Sequence, residues 1–206
     1  MYMPPHFAET DPDAIAGLIA AYPLATVIAT TPDGILANHL PLLRAPDGDL
    51  IGHVALANDM HRLIAEGQQV LAIFRGEDAY VTPNAYPSKA EHHKAVPTWN
   101  YRVAHVHGPI TFSHAEHDRR VAVAMLTRDH ERRVNGGRAW KMAEAPADFI
   151  AGMLQGIVAF RIVPLRVIAK AKMSQNRSAE DREGVAANMR ARGETAMAEA
   201  LTRSEP

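Results

Sequence analysis

The sequence predicts a mainly β, α+β fold: an antiparallel barrel with helices packed on its outside. Three observations predict it. Two Pro-Asp-Gly triplets, at 32–34 and 46–48, each lie between apolar runs, as hairpin turns do. About six to eight short strand-like segments and four or five helical ones follow in an order dominated by hairpins. No stretch alternates strand and helix in the way a parallel βαβ sheet requires.

Each element has a local reason. Asp11 followed by Pro12 reads as a helix cap and first turn, and Ile15, Leu18, Ile19 and Tyr22 then form one apolar stripe. After Pro23, residues 24–30, the turn 31–34 and residues 35–43 form a hairpin. The second Pro-Asp-Gly opens another into 50–55. Asn58 caps a short helix carrying Met60, Leu63 and Ile64, with Gly67 just past its end. Residues 70–74 and 79–82 read as two strands. Residues 83–97, rich in Pro, His, Lys and Ala and without periodicity, read as a long surface loop of the functional or mobile kind. Strand character returns over 99–112. Ser113 with Glu116 has the form of a capping box, and Val121, Met125 and Leu126 carry a helix towards Arg133, ended by 135–137. Phe149, Ile150, Met153 and Leu154 mark a short helix closed by Gly156. Residues 157–163 and 165–173 are strands joined at Pro164. Ser178 with Asp181 starts a helix running to Gly193, followed by a frayed helical tail. With no repeat or low-complexity tract, residues 1–206 read as a single domain with a helical C-terminal segment at about 178–203.

Composition narrows the function. The chain of 206 residues is 47% hydrophobic and 22% charged, as ordinary globular proteins are. A net charge of -1 leaves no global field towards nucleic acid or anionic lipid, so any DNA contact needs a local basic patch. The absence of cysteine removes disulfides, thiolate metal sites and cysteine nucleophiles, and fits a reducing compartment. The first residues lack the basic and apolar regions of a secretory signal, and the most apolar runs, 24–29 and 157–163, are too short to span a bilayer. A soluble cytoplasmic protein without a membrane partner is expected. The fingerprints of Rossmann, P-loop, α/β-hydrolase and zincin chemistry are missing.

Three local patterns bear on a site. In 96–101, Pro97 sets an extended conformation, Trp99 and Tyr101 point to one face and Asn100 to the other; on these residues alone, two core aromatics at a proline-broken strand start are the favoured reading. In 165–174, Leu165, Val167, Ala169, Ala171 and Met173 alternate towards the core. Arg166, Lys170, Lys172 and Ser174 share the other face with Ile168. That face suits a phosphate or is simply solvated. His105 and His107 share a strand face near His92 and His93, yet no acidic residue at tight spacing completes a metal site, so none is assigned. The arginines at 119, 120, 128, 132 and 133 alternate with Asp118, Asp129 and Glu131, the pattern of a salt-bridged surface helix.

Residues 1–7 (MYMPPHF), 96–101 (VPTWNY) with Val106-His107-Gly108, and 172–177 (KMSQNR) resemble three signatures of the PaiB family, FMN-binding proteins described as negative transcriptional regulators. His39-Leu40-Pro41, Gly52-His53 and residues 80–83 are similar too, so the resemblance covers nearly the whole chain. Ala95 and Ala85 depart from it, where lysine and an aromatic are more usual. The resemblance implies an FMN-binding split β-barrel related to pyridoxamine-phosphate oxidases and flavin reductases, and a homodimer with FMN at the subunit interface. It implies flavin contacts at Lys170, Lys172, Ser174 and Gln175, and at Trp99 and Asn100. The segment Gly52, His53 and Ala55, followed by Asn58 and His61, is expected along the flavin, Gly52 allowing close backbone approach. Asn38, His39 and Pro41 lie on the neighbouring strand. Catalytic residues remain unassigned. The resemblance favours a flavin-binding dimeric regulator with a DNA or protein partner. An FMN-dependent oxidoreductase acting on a small molecule stays open, as does a fold that has lost FMN.

Overall fold

The computed structural model describes residues 1–203. In chain order its elements are β1 (Ala8–Glu9), α1 (Pro12–Ala21), β2 (Leu24–Thr31), β3 (Gly34–Pro41), β4 (Leu43–Arg44), β5 (Leu50–Ala55), α2 (Met60–Leu63), β6 (Gln69–Val81), α3 (Lys89–His92), β7 (Thr98–Ser113), α4 (Glu116–Asn135), α5 (Ala147–Gln155), β8 (Ile157–Ile162), β9 (Arg166–Lys172), α6 (Ala179–Ala191) and α7 (Thr195–Arg203). They form two compact units. The first comprises Met1–Ala21, Arg75–Ala104 and the segment from Ile168; the second comprises Tyr22–Phe74 and His105–Val167.

In the second unit the strands follow the order β3-β2-β6-β7-β8-β5-β4. The β2–β3 hairpin runs in register from Leu24↔Pro41 to Thr31↔Gly34, and Gly34 takes φ 114°, the positive value its turn needs. Strand β5 pairs antiparallel with β8 from Leu50↔Ile162 to Ala55↔Ile157. Leu42, Leu50, Val54, Phe74, Ile110, Phe160 and Ile162 are buried. Helix α4 contributes Ala122 to a small cluster with Ala45, Ile51 and Ala159, so β5 and β8 are covered on that face.

In the first unit β9 pairs with β1, Ala8 opposite Lys170 and Glu9 opposite Ala169. Its core gathers Val81, Tyr86, Met173, Val185, Met189, Met197 and Leu201. Helix α7 is therefore packed through Met197, Ala198, Ala200 and Leu201 rather than frayed. The side chain of Ser178 caps α6 by accepting from the Asp181 N–H at 3.2 Å, as its sequence predicts.

Several local expectations need correction. Residues 69–81 form one strand, not two, because the polar residues between the apolar runs have partners. Buried Glu77 pairs with Arg102 at 2.7 Å, and Gly76 leaves room for the Leu18 side chain and the Arg102 backbone. The 83–97 segment is anchored at its start: Ala85 and Tyr86 are buried, and Ser88 donates its backbone N–H and hydroxyl to the Asp181 carboxylate at 3.1 and 2.8 Å. Ser113 makes no capping box; its hydroxyl donates to Asp118 at 2.6 Å, and Ala115 takes the cap position without a side-chain bond. Helix α2 ends at Leu63, before Gly67. Among the described residues no helix is long and apolar enough to cross a membrane.

Candidate functional site

Strand β9 alternates as expected only towards its end, where Ala169, Ala171 and Met173 are buried; Leu165 and Val167, also expected inward, are 68% and 43% exposed, because the core of the first unit gathers only Ala171 and Met173 from this stretch. On the opposite face Arg166 is exposed, but the end of the strand is shielded. Lys170 is only 7% exposed and Ser174 4%. Lys170 Nζ lies 5.3 Å from the ring centroid of Tyr101 and 5.8 Å from those of Tyr2 and Phe7, and donates to the Tyr2 carbonyl at 3.4 Å. Lys172 Nζ donates to Thr98 Oγ1 and stands 5.9 Å from the Phe7 ring. Burial holds the Lys172 ammonium below the ordinary lysine range, and the like charges of Lys170 and Arg177 push the same way. Arg177 lies 4.7 Å over the Tyr86 ring. Among the described residues none of these three cations reaches a carboxylate within ion-pair distance. Aromatic faces soften this charge without neutralising it, so the cluster is chemically suited to a phosphate or other anion.

The other residues expected there turn inward on the chain. Asn100 is fully buried: its Nδ2 donates to Ser174 Oγ at 3.0 Å, and its Oδ1 lies 3.2 Å from the same hydroxyl, which donates back. That pair holds Ser174 at φ 61°, a left-handed conformation uncommon for a non-glycine residue. Gln175 accepts from the Met173 N–H at 2.7 Å and donates to the Ala171 carbonyl. Asn100, Ser174 and Gln175 thus direct these hydrogen bonds to the chain itself at the end of β9. Trp99 is no core aromatic: it is 52% exposed and meets Tyr80 edge-on, ring centroids 5.9 Å apart.

In the second unit the predicted residues divide by strand alternation. Asn38 lies half-buried on the same face of β3 as Leu36 and Leu40, whereas His39 points to the exposed face, its Nδ1 3.0 Å from Thr26 Oγ1. Neighbours in sequence, these two cannot serve one face together. Asn38 Oδ1 accepts from Asn58 Nδ2 at 2.9 Å, and Asn58 Oδ1 accepts from the Met60 N–H at the start of α2. Asn38 Nδ2 is left buried without an acceptor. His61 Nε2 lies 3.0 Å from the Leu56 carbonyl, and its ring meets His114 and Phe112 edge-on. His53 also has a buried, unpartnered Nδ1, and burial lowers its pKa, favouring the neutral ring.

Gly52 has a different reason from the expected one. A Cβ there would sit 2.5 Å from Phe160 Cζ and 2.8 Å from Leu42 Cδ2, so the glycine makes room for the core rather than for a ligand. Ala55 is exposed at the end of β5, and Pro41 is half-buried at the end of β3.

The rings of His105 and His107 share a face with centroids 6.5 Å apart; burial lowers both pKa values, with the Arg166 charge adding to the effect on His107. Among the described residues no three His, Cys, Asp or Glu side chains gather as a metal site. On α4, Arg120 pairs with Glu116 at 3.0 Å, Arg133 with Asp129 at 2.7 Å, and Arg119 donates to the Leu154 carbonyl. Sequence reasoning missed the surroundings of the lysine pair. Tyr2, Phe7, Thr98 and Tyr101 come from segments distant in sequence, and only the MYMPPHF and VPTWNY signatures hinted at them.

The family model described as "Putative FMN-binding domain" matches residues 1–164. The chain is 29% identical over 184 residues to the "Protease synthase and sporulation protein PAI 2" of Bacillus subtilis, covering 88% of this chain and 85% of the relative. It is 30% identical over 232 residues to an uncharacterized protein of Aspergillus fumigatus, covering 90% and 89%. Among solved structures it is similar to an FAD and heme binding protein from Mycobacterium smegmatis, at 20% identity, TM-score 0.59, and 87% and 79% coverage. It is similar also to a flavocytochrome from Azotobacter vinelandii, at 14% identity, TM-score 0.59, and 86% and 75% coverage. At such identities these structures establish the fold alone, and it is the antiparallel split-barrel type, mixed α+β, that the sequence predicts.

Proposed function

This chain belongs to the FMN-binding family that includes PaiB, and we propose that it acts as a flavin-loaded cytoplasmic homodimer that lowers transcription through a ligand or a protein partner. The observation that carries the binding part is the cluster of Lys170, Lys172 and Arg177, three cations with no carboxylate in reach among the described residues. A phosphate monoester such as that of FMN supplies the missing negative charge. Lys172, with Thr98 beside it, is the proposed phosphate contact; Lys170 reinforces the field from beneath the aromatic rings. The alternative seat lies in the other unit, at Asn38, His39, Pro41, Gly52, His53, Ala55, Asn58 and His61, where Asn38 and His53 offer buried nitrogens without partners. Bound flavin supplies reversible electron transfer, and the protein's part is to hold and tune it.

Direct DNA contact is not part of this reading, because the net charge is -1 and three of the five α4 arginines, at 119, 120 and 133 but not 128 and 132, have side-chain partners among the described residues. The test is a titration of apo-protein with FMN and with FAD, followed by flavin fluorescence. FMN is expected to bind more tightly, since the sequence lacks a dinucleotide fingerprint; FAD binding equally well, or neither flavin binding, refutes the assignment. Sedimentation is expected to give about twice the 22.5 kDa chain mass. Fast catalytic oxidation of NADH would reassign the protein as an FMN-dependent oxidoreductase, and a tight, salt-sensitive, sequence-specific DNA complex would make it a direct repressor.

A further inference from the structure

Helices α6 and α7 line an open pocket of about 320 Å3 that includes none of the residues assigned above to flavin. Arg182, Ala186 and Arg190 follow at four-residue spacing on α6, which places them in one row along the helix. Ala186 contributes only a methyl group, leaving a hollow between the two arginines, and Leu201 of α7 supplies an apolar wall. Both apolar residues are otherwise buried in the unit's core. Arg182 is half-buried, and its Nε is enclosed without an acceptor. Glu183 also lines the cavity, yet among the described residues neither arginine forms an ion pair with it or with any other carboxylate. Two guanidinium groups thus line a pocket with an apolar side.

We propose that this cavity binds a small amphipathic anion. Its carboxylate or phosphate head is held by Arg182 and Arg190, and a short aliphatic body lies against Ala186 and Leu201. Arginine suits this task better than lysine, since its planar fork meets either head with two parallel hydrogen bonds. At roughly 30 Å3 per water the space equals about ten waters, which admits a molecule of about eight to ten heavy atoms. The site shares no residue with either proposed flavin seat and stands independently of that assignment. It gives the protein a receptor for a metabolite of the fatty-acid or alkyl-phosphate type.

Calorimetry on the full chain, with saturating FMN, tests this using hexanoate, hexyl phosphate and hexanol. Both anions are expected to bind at submillimolar concentration and hexanol not to bind; the tighter head names the natural class. R190Q, at an exposed position, and R182Q are each expected to weaken anion binding about tenfold or more, with circular dichroism and FMN affinity unchanged. No binding of either anion at millimolar concentration overturns the proposal. So does hexanol binding as tightly as hexanoate, or an R182Q/R190Q double variant that folds and binds like the parent.

Discussion

Gly108, in the Val106-His107-Gly108 signature, is the position where a single methyl group should cost most. A Cβ added there falls 1.9 Å from the Val163 carbonyl oxygen and 2.8 Å from its carbon, about 1 Å inside the 3.0 Å below which real Cβ contacts essentially do not occur. The obstacle is backbone, so no rotamer relieves it. The same crossing carries two hydrogen bonds, Val163 N–H to the Pro109 carbonyl at 3.1 Å and Leu165 N–H to the His107 carbonyl at 2.9 Å. For Gly108→Ala to be accommodated, the 163–165 link must lift away. Overpacking of this kind costs about 1–3 kcal/mol, and each lost hydrogen bond adds a net 0.5–1.5 or so, giving roughly 2–6 kcal/mol in all. In a chain of this size 1 kcal/mol lowers Tm by about 2–4 °C, so the midpoint should fall by at least about 4 °C. Thermal and urea unfolding followed by circular dichroism measure this. Gly152→Ala is the control, since nothing lies within 4 Å of its Cβ site on α5 and alanine favours the helix. A Gly108→Ala midpoint within about 2 °C of the parent would refute the close approach.

Lys172→Ala should weaken FMN binding by about 1–3 kcal/mol, the range for removing a partner of a charged group; unchanged affinity in a folded variant would move the flavin seat to the Asn38 and His53 set. Asn100→Ala should destabilise the fold by about 1–3 kcal/mol in urea, because the buried Ser174 hydroxyl loses its amide partner; a smaller loss would mean that Ser174 finds another partner. His53 sits in the fold with its pKa below the usual 6.5, so the unfolded chain binds the proton more readily. Its contribution is present above about pH 6.5 and is lost as pH falls through the lowered value. His53→Gln should therefore flatten the fall of stability below about pH 6.5, in part only, since His105 and His107 are shifted in the same direction. An unaltered pH profile would show that His53 does not titrate in that window.

Local signals were the legible ones. Pro-Asp-Gly at 32–34 and 46–48 places both hairpins, Asp11-Pro12 and Ser178 place two helix starts, and alternation puts Ala169, Ala171 and Met173 inward, though Leu165 and Val167 before them stay exposed. Each rests on a turn, a cap or a period that a few neighbouring residues specify among themselves. The failures were of another kind. Strand β6 was split because Glu77 looks like a surface residue until Arg102 of another strand stands beside it. The 83–97 loop looked free because the residue anchoring it, Asp181, lies 93 positions from Ser88.

The candidate site divides in the same way. The sequence places Lys170, Lys172 and Ser174 on one face of a strand and carries the signatures of an FMN-binding family. It could not determine whether that face meets water, ligand or protein, since alternation specifies only sidedness. The folded chain puts Lys170 beneath the rings of Tyr2, Phe7 and Tyr101 and brings Asn100 and Ser174 together as hydrogen-bond partners. It likewise makes Gly52 yield to Phe160. Burial and hydrogen-bond pairing between distant segments are set by how the whole chain closes on itself, and that closure appears in no short stretch of sequence.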